Sequence, residues 1–275
     1  MSVSKIKNII IAVLVLANLV FLSVVLADTV SDRRETREML KNMAELYRSA
    51  GVALSDDAFC TGRGACAVPI ARSAESEAAI ASVLIGDASS VHRGSVSTYR
   101  GGGGEAVFRS GGEFSADILG DAIHFDKNAE KTVEKLVEAM ELEAAVSCGN
   151  TTAENETHIT AVCLYEGCEI FNCTLDFCFH ANGALGAVSG RLPAPAGEGA
   201  VPDGETVSAS ALMSFFALIS SENVSCTRID SVSFGYIMSM TPLGSGALTP
   251  VYRIATDNGE YFMSAEDNAL IDEKI

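Results

Sequence analysis

Apolar and polar positions alternate along most of the chain with a helical or a strand period, but one stretch shows neither. From Ile9 to Ala27, nineteen residues carry no charge, and only Asn18 and Ser23 among them are polar. As a helix rising ~1.5 Å per residue this run spans roughly 28 Å, close to the ~30 Å hydrocarbon core of a bilayer. A helical period follows from Thr29 to Ala50, with Met39, Met43, Leu46, Tyr47 and Ala50 on one face and Gly51 as a stop. Ala74–Ile85 predicts a short helix ending at Gly86. Asn128–Ala145 predicts another, with Val133, Leu136, Val137, Met140 and Leu142 turned inward. Val207–Ser221 predicts a further one, through Leu212, Phe215, Phe216 and Ile219.

Between these helices the period falls to two. Residues 95–99, 105–109 and 113–118 are short alternating runs separated by Gly101–Gly104 and Gly111–Gly112, the pattern of an antiparallel meander. The four glycines predict a turn and not a phosphate cradle, because no helix follows them to offer its N-terminal amides. Ile159–Leu164, Glu169–Asn172, Leu175–His180 and Leu185–Val188 predict more strands of that sheet. Ser231–Met238 and Val251–Ala255 predict two later ones, with a type I′ hairpin at Asp257-Asn258-Gly259 leading into Tyr261–Ser264. Arg191–Glu205, with three prolines and three glycines, reads as a linker.

The expected fold class is therefore α+β: an N-terminal transmembrane helix and then two tandem modules, each a helix packed on an antiparallel sheet. The expected divisions are an arm over 1–8, the transmembrane helix over 9–27 and a membrane-proximal region of helix, loop and short helix over 28–90. The first module takes 91–190, the linker 191–205 and the second module 206–275.

Charge sets the orientation. Lys5 and Lys7 precede the apolar run with no acid among them, which predicts a cytoplasmic N-terminus and an extracytoplasmic bulk. Val25-Leu26-Ala27 before Asp28 also resembles a signal-peptidase site, so a cleaved signal is the competing reading. The length of the run and Asn18 at its middle favour an uncleaved anchor, since an amide in hydrocarbon seeks a partner on another helix. The net charge is −17, and from Glu141 onward four basic residues face eighteen acids. Such a surface repels phosphate backbones, which argues against a nucleic-acid partner.

Ser4-Lys5-Ile6-Lys7 entering an apolar helix, with Asn18-Leu19-Val20-Phe21-Leu22 inside it, resembles the anchor of the YycI family. Gly235-Tyr236 at the end of a strand, Pro250-Val251-Tyr252-Arg253-Ile254 and Gly259-Glu260-Tyr261-Phe262 resemble that family's closing strands. Leu84-Ile85-Gly86 and the Tyr99, Glu105, Phe108, Gly112, Phe114 meander extend the likeness through the middle; the cysteine-rich strands have no counterpart there. The resemblance implies a single-pass accessory protein that tunes a sensor histidine kinase, WalK-like, of a cell-wall two-component system, together with a YycH-like protein. Asn18, Phe21 and Ser23 would then face the kinase helices, and Lys5 and Lys7 would fix depth and orientation. The alternative is a secreted binding or protease-inhibitor-like domain released after Ala27.

Candidate chemistry adds little to this. H-E-x-x-H, G-x-S-x-G and P-loop motifs are all absent, so neither an enzyme nor a cofactor is expected. Arg253 and Asp257, close in one hairpin, suggest an exposed ion pair of little worth. Of eight cysteines, Cys60 and Cys66 flank a short Gly-containing loop and are the candidate disulfide. Cys163, Cys168, Cys173 and Cys178 recur every five residues, which fits no zinc or iron–sulfur spacing and predicts disulfides or buried thiols. Sequons at Asn150, Asn155, Asn172 and Asn223 keep a eukaryotic type II membrane protein in view.

Overall fold

Every buried N–H and C=O of a strand needs a partner, and this chain satisfies most of them within one sheet. A computed structural model describes residues 38–39, 41–55, 58–63, 66–120, 122–125, 128–147, 150–151, 156–194, 205–221 and 224–271. A first helix, α1 (41–49), leads into β1 (Ala53–Leu54), β2 (Thr61–Arg63) and β3 (Val68–Ala71). Helix α2 (Ala74–Ile85) precedes a meander of β4 (Ala88–Arg93), β5 (Val96–Gly101), β6 (Gly104–Arg109) and β7 (Glu113–Ile118). Helix α3 (Ala129–Ala139) is followed by β8 (Ala144–Val146), β9 (Asn150–Thr151), β10 (Thr157–Tyr165), β11 (Cys168–Phe179) and β12 (Leu185–Arg191). The chain closes with β13 (Glu205–Val207), α4 (Ser208–Ser220), β14 (Arg228–Met240), β15 (Ser245–Thr256), β16 (Gly259–Ser264) and β17 (Leu270–Ile271).

Fifteen strands form a single mixed sheet whose path runs β17-β16-β15-β14-β11-β12-β7-β6-β5-β4, with β1, β3, β8, β9 and β10 paired alongside. This overturns the expectation of two tandem modules with separate antiparallel sheets. The join is a parallel pairing of β11 with β14, Glu169 opposite Gly235 and Ile170 opposite Tyr236. Strand β11 makes it possible by changing neighbours along its length. Its start lies beside β14 and its end beside β12, and a register shift against β10 falls between Val162 and Leu164. The inward positions shift parity at the same place, from Ile170 to Cys173, Leu175, Phe177 and Phe179. The two strands expected at Glu169–Asn172 and Leu175–His180 are thus one strand with an irregularity between them.

Beyond Ile170 the ladder to β14 is carried by a side chain. The Asn172 amide donates through Nδ2 to the Met238 carbonyl and accepts at Oδ1 from the Met238 N–H, both at 2.9 Å. Gly235 permits the close approach, since a Cβ there would sit 2.4 Å from the Glu169 carbonyl oxygen.

Two larger cores lie against this sheet, with a small third cluster of Ile237, Val251 and Phe262. One gathers Ile80 and Leu84 of α2, Val133 and Val137 of α3, and Phe108, Phe114, Phe177 and Phe179 from the strands. The other gathers Met43 and Tyr47 of α1, Leu212 and Phe215 of α4, and Val232, Tyr252, Ile254 and Met263. Of the apolar side chains at helical spacing in the sequence, Met43, Tyr47, Val133, Val137, Met140, Leu212 and Phe215 bury here, while Met39 and Ala50 are exposed.

Local departures from the sequence reading have local causes. Helix α3 stops at Ala139, not Ala145, because Glu141 takes a left-handed conformation (φ 56°) while the Leu142 N–H donates back to the Val137 carbonyl. Strand β4 went unpredicted because all six of its residues are exposed on the sheet's edge, so it has no alternating pattern. Pro250 sits within β15 without breaking it, between the part paired with β3 (Ser245–Leu248) and the part paired with β16 (Val251–Thr256). The β15–β16 turn is two residues long, Thr256 pairing with Gly259, but it is not type I′. Positive φ falls on Gly259 (136°) and on neither Asp257 nor Asn258. Among the described residues no helix is long and apolar enough to cross a membrane. The run 9–27, with Asn18, Phe21 and Ser23, and Lys5 and Lys7 before it, lies outside the described residues.

The side-chain bridge at the join gives a direct test of the single sheet. Asn172→Leu leaves the Met238 N–H and C=O unpaired and should cost about 2–3 kcal/mol. That lowers the melting midpoint by about 5–10 °C. The exposed neighbour Thr174→Ala should move it by less than about 2 °C; equal midpoints for the two variants would contradict the role given to Asn172.

Candidate functional site

Two surfaces bring unusual chemistry together. The first begins with α1. Met43 and Tyr47, one turn apart, face inward; Tyr47 is fully buried and its hydroxyl donates to the Leu212 carbonyl of α4 at 2.6 Å. Burial, and secondarily the Cys226 thiol, push the Tyr47 phenol well above its ordinary pKa, so it stays a donor. Past α1 the chain pairs with the sheet, the Ala53 N–H donating to Thr227 and the Ser55 N–H to Ile229. On the outer side Met39, Asn42, Met43 and Leu46 of the first helix face Ala209, Ser210 and Met213 of α4 across a groove of about 600 Å³. Met39 is 45% and Met213 50% exposed there.

The second surface is the open face of the β10–β11 hairpin. Period two puts Ile159, Leu175, Phe177 and Phe179 into the core and turns His158, Asp176 and Cys178 outward. The register sets His158 opposite Cys178. Cys178 Sγ lies 3.7 Å from His158 Nε2, and His158 Nδ1 lies 2.7 Å from Asp176 Oδ2. Glu156, just before β10, completes a set in which its carboxylate, an imidazole nitrogen of His158 and Cys178 Sγ lie within 4.8 Å of one another. His180 stands beside it, Nδ1 3.6 Å from Glu156 Oε1.

The order thiol, imidazole, carboxylate is that of a nucleophile, its base and an orienting acid. Two features speak against that use. Burial first, and then the Glu156 and Asp176 carboxylates, raise the Cys178 thiol, the reverse of an activated nucleophile. Cys178 also stands in mid-sheet, opposite His158 on one side and Ala187 on the other, so the surrounding amides are committed to ladders and not free to form an oxyanion hole. What the cluster offers is three donor atoms of different kinds converging on one accessible point.

The residues singled out from sequence behave differently. Cys60 and Cys66 are free thiols, as are the other described cysteines, 163, 168, 173, 178 and 226. Cys163 and Cys173 are fully buried, and burial lifts the Cys163 thiol to about 12. Arg253 does not pair with Asp257. Its guanidinium stacks over Phe171 at 4.5 Å and reaches Glu169 Oε2 at 3.4 Å, while Asp257 accepts from Thr227 and the Arg228 N–H. The Asn172 amide, in a sequon, is occupied by Met238. The cysteine spacing alone does not reveal the cluster, whose His158 and Cys178 lie on two strands. Its sequence signal was Glu156-x-His158 and Asp176-x-Cys178-x-His180, polar ligand types at strand period on adjacent strands.

No protein-family model and no curated protein matches the chain. Among solved structures it is similar to an uncharacterized protein from Eubacterium rectale ATCC 33656, at 11% identity over 81% of this chain and 90% of that one, with a TM-score of 0.47.

The electrostatics of Cys178 can be read by alkylation. Exposed Cys66 should react with iodoacetamide first. The Cys178 rate should keep climbing with pH beyond the point where an ordinary thiol levels off. Glu156→Gln, by removing a negative charge, should speed the Cys178 reaction several-fold near pH 8; a slower reaction in that variant would show that the carboxylate does not hold the thiol protonated.

Proposed function

We propose that this chain is a single-pass, membrane-anchored regulatory protein whose extracytoplasmic sheet domain acts on a sensor histidine kinase, with a YycH-like protein as second partner. The apolar run 9–27 is the proposed anchor, with Lys5 and Lys7 on the cytoplasmic side and Asn18, Phe21 and Ser23 toward the partner. The carrying observation is the junction between α1 and the sheet. The helix that follows the apolar run is locked to α4 by the buried Tyr47–Leu212 hydrogen bond and passes directly into pairing with β14. A displacement of α1 is therefore transmitted to the sheet and not absorbed in a slack linker.

The groove beside that junction supports the same reading. It is apolar, its edges are Met39 and Met213, and it opens about a dozen residues after the apolar run ends. Methionine-lined surfaces suit helices of varied shape, because the side chain is unbranched and adaptable. The regulatory effect would be a shift between two states of the kinase, its size set by the difference in affinity for each.

Photo-crosslinking in native membranes tests the proposal. A photoreactive residue in place of Met213 should capture the kinase, one in place of the exposed turn residue Leu243 should not, and Asn18→Leu should lower the yield severalfold. A mature chain beginning at Asp28 that captures no kinase would overturn it in favour of a secreted binding domain.

A further inference from the structure

We propose that Glu156, His158 and Cys178 bind a thiophilic divalent cation of the zinc type on the open face of β10 and β11. A tetrahedral zinc ion with a sulfur ligand at ~2.3 Å and a nitrogen ligand at ~2.0–2.1 Å separates those two atoms by roughly 3.6 Å. Cys178 Sγ and His158 Nε2 stand 3.7 Å apart, so this pair already has the spacing a shared ion requires. The Glu156 carboxylate lies within 4.8 Å of both partners.

The second observation is the surroundings of His158. Its Nδ1 is held by Asp176 Oδ2 at 2.7 Å, which fixes the tautomer with the proton on Nδ1 and leaves the Nε2 lone pair facing Cys178. A carboxylate behind an imidazole that in turn faces a metal is the usual outer partner of a histidine ligand, orienting the ring and raising its basicity. A cation at this point would offset the carboxylates of Glu156 and Asp176, and coordination removes the proton of a ligating thiol outright.

Sulfur, nitrogen and oxygen donors together select a borderline ion over calcium or magnesium, which take oxygen ligands. His180 stands at the edge of the set, Nδ1 3.6 Å from Glu156 Oε1, and its imidazole occupies the space above Gly186, where a Cβ would come within 2.3 Å of Nε2. The cluster is open to solvent, with the His158 side chain 33% exposed, so an ion can enter without unfolding the sheet.

Binding is read on the purified chain and does not depend on the kinase reading. The full-length protein, reduced, stripped with chelator and held in detergent, is titrated with Co²⁺. The expected result is one equivalent bound, a sulfur-to-cobalt charge-transfer band, and displacement of that band by stoichiometric Zn²⁺. Cys178→Ser should abolish the band while Cys66→Ser keeps it. Asp176→Asn should weaken binding by about 10–100-fold with the band retained. Should Cys178→Ser fail to fold by circular dichroism, Glu156→Gln, at a position just before β10, serves instead and should weaken binding. A wild-type protein with no band and no Zn²⁺ competition, or a Cys178→Ser protein with the wild-type band, would overturn the proposal.

Discussion

The whole architecture depends on the short parallel contact between β11 and β14. Only two residue pairs, Glu169 with Gly235 and Ile170 with Tyr236, make the backbone contact. The Asn172 amide then replaces a third, satisfying both backbone groups of Met238. Parallel pairing is slightly weaker per residue than antiparallel pairing, so a join this short needs such reinforcement. Without it the chain would fall into two smaller sheets, each exposing an unpaired edge. The absent Cβ at Gly235 and the bridging amide at Asn172 solve one problem from its two sides.

That join also relates the two surfaces with unusual chemistry. The His158–Cys178 cluster sits on the later part of β11, and α1 with its groove feeds through β1 into the start of β14. A cation held at Cys178 and a partner held at α1 would act on strands that share one seam. A protein interior is close-packed, so a displacement at one end of such a strand is carried along it and not dissipated. The core residue Tyr236, in edge contact with Phe234 and Tyr165, packs at this crossing and stiffens it.

Much of the secondary structure was legible because its signals are local. Gly86 ends α2, Asn128 caps α3 with its side chain on the Lys131 N–H, and Gly102-Gly103 turns β5 into β6 as the glycine run implied. The parts that were not legible lack local signals. Strand β4 has no buried face, α3 ends on the left-handed Glu141, and β11 reads as two strands because its inward parity changes where it trades neighbours. The cluster at Cys178 was hidden for a related reason: each residue looks ordinary in its own strand, and only the register between strands makes it a set.

By itself the sequence determined the apolar run at 9–27, the helical faces of Met43, Tyr47, Leu212 and Phe215, and the turns where glycine alone fits. These follow from side-chain periodicity and backbone sterics, which act over a few residues. Tertiary structure alone decided that the strands make one mixed sheet, that Asn172 spends its amide on Met238, and that His158, Asp176 and Cys178 meet. Strand partners are chosen by long-range burial and hydrogen-bond completion. The energy that fixes a register comes from residues well apart in the chain, twenty positions for His158 and Cys178 and sixty-six for Asn172 and Met238, and no local pattern records it.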